Sequence, residues 1–90
     1  LNNIHFIYIE CSNIQSGYIT VRSKKAENVT FSVTFPKQFS KIPQVALSVG
    51  TSAPKDNMVS ITSVNENGFT GTLWRNADPA DMTVRWIAVN

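Results

Sequence analysis

The sequence predicts an all-β fold, a small antiparallel sandwich of six or seven short strands. Two observations carry that expectation. Apolar residues recur at every second position in run after run, and turn-forming residues part the runs every ~8–12 residues. No window sustains the i, i+3, i+4, i+7 apolar spacing of an amphipathic helix.

The runs follow one another along the chain. Residues 4–10 (IHFIYIE) are rich in bulky apolar groups but alternate poorly. They read as an added strand or as a lead-in from a longer parent chain. Residues 1–12 are therefore set apart from a sandwich over 13–90, within a single domain spanning 1–90. Residues 14–22 (IQSGYITVR) form the next run. Val29, Phe31, Val33 and Phe35 then alternate with Thr30, Ser32 and Thr34, the pattern of a strand with one buried face. Val45, Leu47 and Val49 repeat it, as do Val59 and Ile61. Phe69, Gly71 and Leu73 share one face and Thr70, Thr72 and Trp74 the other. In the last run Met82, Val84, Trp86 and Ala88 oppose Thr83, Arg85, Ile87 and Val89. That strand is apolar on both faces near its end, so it is expected to be covered on both.

The punctuation agrees. Asn65-Glu66-Asn67-Gly68 signals a hairpin, with Asn67-Gly68 suited to positive φ. Pro36 and Pro43 bracket a polar connection. Further turns are expected at Lys55-Asp56-Asn57 and at Asn76-Ala77-Asp78-Pro79.

Composition narrows the function. Ninety residues make one core, and 42% hydrophobic against 16% charged residues is globular rather than disordered composition. Eight basic against six acidic residues leave a net charge of +2, too little to argue nucleic-acid affinity. Arg22-Ser23-Lys24-Lys25 has no interleaved aromatics and reads as a solvated turn. With one His (His5) and one Cys (Cys11), no internal disulfide, zinc set or catalytic triad can be composed. His5 and Cys11 read as structural residues. Stability must come from packing, including packing between chains. No apolar run approaches the ~18 residues of a membrane-spanning helix, so no membrane insertion is expected. The first residue is Leu rather than Met, and the sequence does not speak to signal peptides.

From Ile14 onwards the order of features resembles the H-type lectin domain, the family of a snail agglutinin and of the discoidin C-terminal domain. The residues that carry the likeness are IQSG (14–17), NVTFSVTFPKQFSKIPQVALSVG (28–50) with Phe39, Pro43 and Val45, NGF (67–69), Trp74, and VRWIAV (84–89). The resemblance implies a six-stranded sandwich that assembles as a homotrimer. It also implies a site near the subunit boundary for galactose or N-acetylgalactosamine.

Trp74, Arg75, Asn76 and Asp78 are the candidate carbohydrate-binding residues. An outward-facing indole offers a platform for the apolar face of a pyranose, and guanidinium, amide and carboxylate groups can hydrogen-bond its hydroxyls. The family's other site residues do not carry over. The run 57–64 has no Arg or Lys, Arg75 stands where a His is usual, and Ala80 where a Tyr is usual. The only acid of the loop after the first run is Glu27. Asp78 and Asp81 flank Pro79, and although paired carboxylates can serve glycoside hydrolysis or calcium, turn chemistry accounts for them better. Asn28-Val29-Thr30 fits the N-glycosylation sequon, but its Thr belongs to a strand.

The sequence thus predicts a carbohydrate-binding module, homotrimeric, outside the cell or on a virion, with no cofactor, no metal, no nucleic-acid partner and no enzymatic activity. The alternative is a structural trimerisation or receptor-binding tip module of a phage tail or fibre protein whose sugar site is lost.

Overall fold

The computed structural model describes residues 13–50 and 57–90. Six strands form among them: β1 (Ile14–Arg22), β2 (Glu27–Thr34), β3 (Gln44–Val49), β4 (Asn57–Val64), β5 (Gly68–Arg75) and β6 (Asp81–Val89). Each falls on a run that alternates in sequence. The run at 4–10, the Cys11 and His5 readings and Lys55-Asp56 of the expected turn lie outside the described residues, and Asn57, the turn's third residue, begins β4.

The strands make two antiparallel three-stranded sheets, ordered β1-β6-β3 and β2-β5-β4. Only the β4–β5 hairpin stays within one sheet. Every other connection between successive strands passes from one sheet to the other, so each sheet's inner face is buried by its neighbours in sequence. The central strands β5 and β6 carry the most buried residues. Phe69 and Leu73 of β5 and Met82, Val84, Trp86 and Ala88 of β6 meet Val21, Phe31, Phe35 and Phe39 in one core. Its centre is aromatic. Phe35 packs edge-on to Phe39 with ring centroids 5.0 Å apart, and lies 5.6 Å from Trp86 and 6.0 Å from Phe69. Such offset and edge contacts suit the ring quadrupoles.

The loop between β2 and β3 closes one end of the sandwich. Gln15 clamps it through two hydrogen bonds: its Nε2 donates to the Lys37 carbonyl (2.7 Å) and its Oε1 accepts from the Lys37 amide (3.1 Å). The backbone amides of Phe35 and Phe39 donate to the carbonyls of Asn67 (2.8 Å) and Glu66 (2.9 Å) at the β4–β5 turn. Phe39 and Pro43 are the buried residues of this loop together with Phe35.

The β4–β5 hairpin forms, but Asn67-Gly68 does not supply positive φ. Among the described residues no glycine has it. The turn is held instead by Asn65, whose Oδ1 accepts from the amides of Asn67 (2.8 Å) and Gly68 (3.0 Å). Gly68 is needed for a different reason: a Cβ there would collide with the Val33 carbonyl oxygen. The left-handed residue is Ala26 (φ 54°), just before β2, whose amide donates to the Arg75 carbonyl at 2.6 Å.

The basic run after β1 is not wholly solvated. Lys24 and Lys25 are exposed, but Ser23 is buried and bonded to Ala80 in both directions, its Oγ accepting from the Ala80 amide at 2.9 Å. This pins the β1–β2 connection to the residue before β6.

Among the described residues β6 is covered on one face. Its inner residues are buried, whereas Ile87 and Val89 on the outer face are 44% and 39% exposed. Ile14 and Tyr18 of β1 lie on the same outer face and are more exposed still.

Candidate functional site

The polar outer face of the β2-β5-β4 sheet carries the candidate site. Period-two alternation along β5 turns Phe69, Gly71 and Leu73 inward and Thr70, Thr72 and Trp74 outward. Trp74 is half-buried near the end of β5, in register with Asn28 of β2 on one side and Met58 of β4 on the other. Asn28 and Met58 are exposed. The indole therefore lies between an amide and a flexible thioether, a platform with a hydrogen-bonding partner on one side and an adaptable apolar wall on the other.

Arg75 does not share that face. It points to the inner side of the sheet end, where its Nη1 donates to Oδ1 of buried Asn57 at 2.9 Å. Its Nε donates to the carbonyl of Asp78 at 3.0 Å. The guanidinium thus braces the 76–80 loop against the start of β4 with two of its five N–H donors. Asn76 and Asp78 lie in that loop and are exposed, one and three residues beyond β5. The structure keeps Trp74, Asn76 and Asp78 at one end of the sandwich and turns Arg75 away from the indole.

Asp81 begins β6 and faces Arg22 across the β1–β6 pair, with 3.5 Å between charges. Both side chains are more than half exposed, so the pair contributes little to stability. Among the described residues no group of three or more His, Cys, Asp or Glu is placed to hold a metal ion.

Asn28 and Met58 are the site residues that sequence reasoning missed. A β-bulge between Ile61 and Ser63 sets the register that brings Met58 beside Trp74. Without it, counting back from the Val64–Phe69 pair would put Val59 there. One signal was present: the apolar positions of β4 change parity, from Val59 and Ile61 to Val64, which a regular strand with one buried face does not allow.

The candidate site is thus an indole on the polar outer face of a two-sheet sandwich. In sequence, the H-type lectin domain model matches residues 30–89, and the chain belongs to that family. No curated protein matches the chain in sequence. Among solved structures, the chain is similar to the R1 pyocin fibre of P. aeruginosa, with a TM-score of 0.72 at 19% identity over 86% of this chain. It spans 22% of that fibre chain, and 69% of an N-truncated R1-type pyocin tail fibre. It is also similar to the tailspike protein gp49 of Pseudomonas phage LKA1, with a TM-score of 0.71 at 19% identity, covering 83% of this chain and 14% of that one. The tailspike gp61 of Pseudomonas phage phi297 gives 0.63 at 18%, covering 86% and 15%. At these identities the likeness is one of fold.

Proposed function

We propose that this domain is a carbohydrate-binding module that acts as a homotrimer on the outside of a cell or virion, as part of a longer fibre-like protein. Its ligand is a neutral cell-surface glycan of the galactose or N-acetylgalactosamine type. Its partners are that glycan and its own copies, without nucleic acid, cofactor or catalysis. One observation carries the reading: Trp74 presents an indole at the end of an uncharged sheet face, between Asn28 and Met58. Asn76 and Asp78 are the polar groups at hand in the adjoining loop, and Arg75 holds that loop in place rather than contacting sugar.

Self-association is supported by the opposite face. Ile14, Tyr18, Ile87 and Val89 expose apolar surface on the β1-β6-β3 sheet, with the Arg85 guanidinium 5.9 Å from the Tyr18 ring centroid. A small sandwich gains stability by burying such a face between copies. A monosaccharide offers few contacts, and three sites on one particle raise a weak affinity by avidity. Among the described residues no helix is long and apolar enough to cross a membrane.

A structural trimerisation or receptor-binding tip module, its sugar site lost, is the second reading. The withdrawal of Arg75 into the sandwich end favours it. A glycan array separates the two. The native protein is expected to bind, and Trp74→Ala to lose binding while keeping the native assembly mass. A blank array for the native protein would leave the structural module.

A further inference from the structure

We propose that the outer face of the β2-β5-β4 sheet holds a second subsite at the hairpin end, so that the ligand is a neutral oligosaccharide lying along the sheet. A shallow open pocket of about 200 Å³ lies there, lined by Ser32, Thr34, Ser63, Asn65, Asn67 and Thr70 among others. Four hydroxyls and two carboxamides line it, and no charged residue does. Ser32, Thr70 and Ser63 form one cross-strand row. Only a long 3.5 Å contact joins the Ser32 and Thr70 hydroxyls. Asn65 spends its carboxamide oxygen on the turn, which fixes the side chain and leaves its amide nitrogen for a ligand.

The pocket and Trp74 share one face, because Thr70, Thr72 and Trp74 are at positions of equal parity on β5. Thr70 and Trp74 are four positions apart, roughly 13–14 Å at ~3.4 Å per residue. The row between them is Thr30, Thr72 and Ser60, again hydroxyl-bearing and uncharged. Hydroxyls and amides that both donate and accept suit sugar hydroxyls, and the absence of charge disfavours phosphate or carboxylate ligands. The shallow shape suits a chain laid across the surface better than a single enclosed ring.

The inference rests on the carbohydrate reading for its ligand class, and the two separate in one experiment. The native chain, the double variant Ser63→Ala/Asn67→Ala and Trp74→Ala are compared on an array of neutral galactose- and N-acetylgalactosamine-containing glycans, graded from monosaccharide to hexasaccharide. Thermal melts confirm that each variant folds; the double variant keeps the Asn65 turn and the Asn67 carbonyl. The expected result is tighter binding of longer glycans by the native chain. The double variant should lose roughly tenfold on long glycans and nothing on monosaccharides, since each lost hydrogen bond is modest. Equal binding of long glycans by the native and double-variant chains, with loss in Trp74→Ala, overturns the subsite and leaves the Trp74 reading standing. Loss in the double variant with retention in Trp74→Ala keeps the pocket and overturns Trp74 as the platform. A blank array for the native chain overturns both.

Discussion

Gly17 of β1 lies directly opposite Trp86 of β6, and a Cβ on Gly17 would sit 3.0 Å from Cζ2 of the indole. The glycine makes room for the largest side chain of the core. Together with Gln15, which clamps the Lys37 backbone, it gives the Gln-Ser-Gly segment a structural meaning: one residue seats the closing loop, and another seats the tryptophan beneath it. Trp86 in turn stands 5.6 Å from Phe35 and 6.0 Å from Phe69, so the indole has little freedom to yield.

Gly17→Ala is therefore expected to destabilise the fold by about 1–3 kcal/mol, the usual cost of overpacking. Gly68→Ala should cost more, because the obstacle there is the Val33 carbonyl rather than a side chain. Urea melts of both variants at one fixed protein concentration give the order. A neutral Gly17→Ala would mean that the indole can shift.

Arg75→Ala removes both bonds of the brace and is expected to cost about 1–3 kcal/mol, since hydrogen bonds to a charged group exceed neutral ones. Arg75→Lys should recover less than half of that, because a single ammonium does not reproduce the guanidinium fork that spans Asn57 and Asp78. Denaturant melts measure the loss. Amide exchange in 76–80 shows whether the loop opens first, as the brace requires.

Ala26→Gly should stabilise the protein by about 1 kcal/mol or less. Ala26 sits at φ 54°, where a Cβ is penalised and glycine is not, although glycine returns part of the gain as unfolded-state entropy. Thermal melts at matched concentration test the sign.

Ile87→Glu is expected to convert the assembly to monomers. Ile87 is central on the exposed face of β1-β6-β3, between Ser16 and Ala46, and a carboxylate there would have to be buried between copies. Sedimentation at micromolar concentration should change from about three times the 10.0 kDa chain mass to one. The far-ultraviolet circular dichroism should stay that of the native sandwich. A monomeric native protein would sink the homotrimer.

Much of the architecture was legible along the chain. Strand spacing is a local property: Val29, Phe31 and Val33, or Met82, Val84, Trp86 and Ala88, declare their buried face without knowledge of any partner strand. The outward face of Trp74 followed from the same alternation. The apolar character of Ile87 and Val89 was equally visible, and among the described residues both stay exposed.

Sequence alone therefore determined the all-β class, the six described strands, the alternating faces of β2 and β5 and the outward turn of Trp74, because a two-residue period is set by neighbours along the backbone. Tertiary structure decided the rest, because register and close approach depend on residues far apart in sequence. The bulge at Thr62 chose Met58 as the neighbour of Trp74. Asn57, 18 positions before Arg75, drew the guanidinium inward and away from the indole. The contact between Gly68 and the Val33 carbonyl, rather than positive φ, fixed the glycine of the hairpin. Cross-strand pairing alone gathered scattered serines, threonines and asparagines into one uncharged face running from Trp74 to the hairpin.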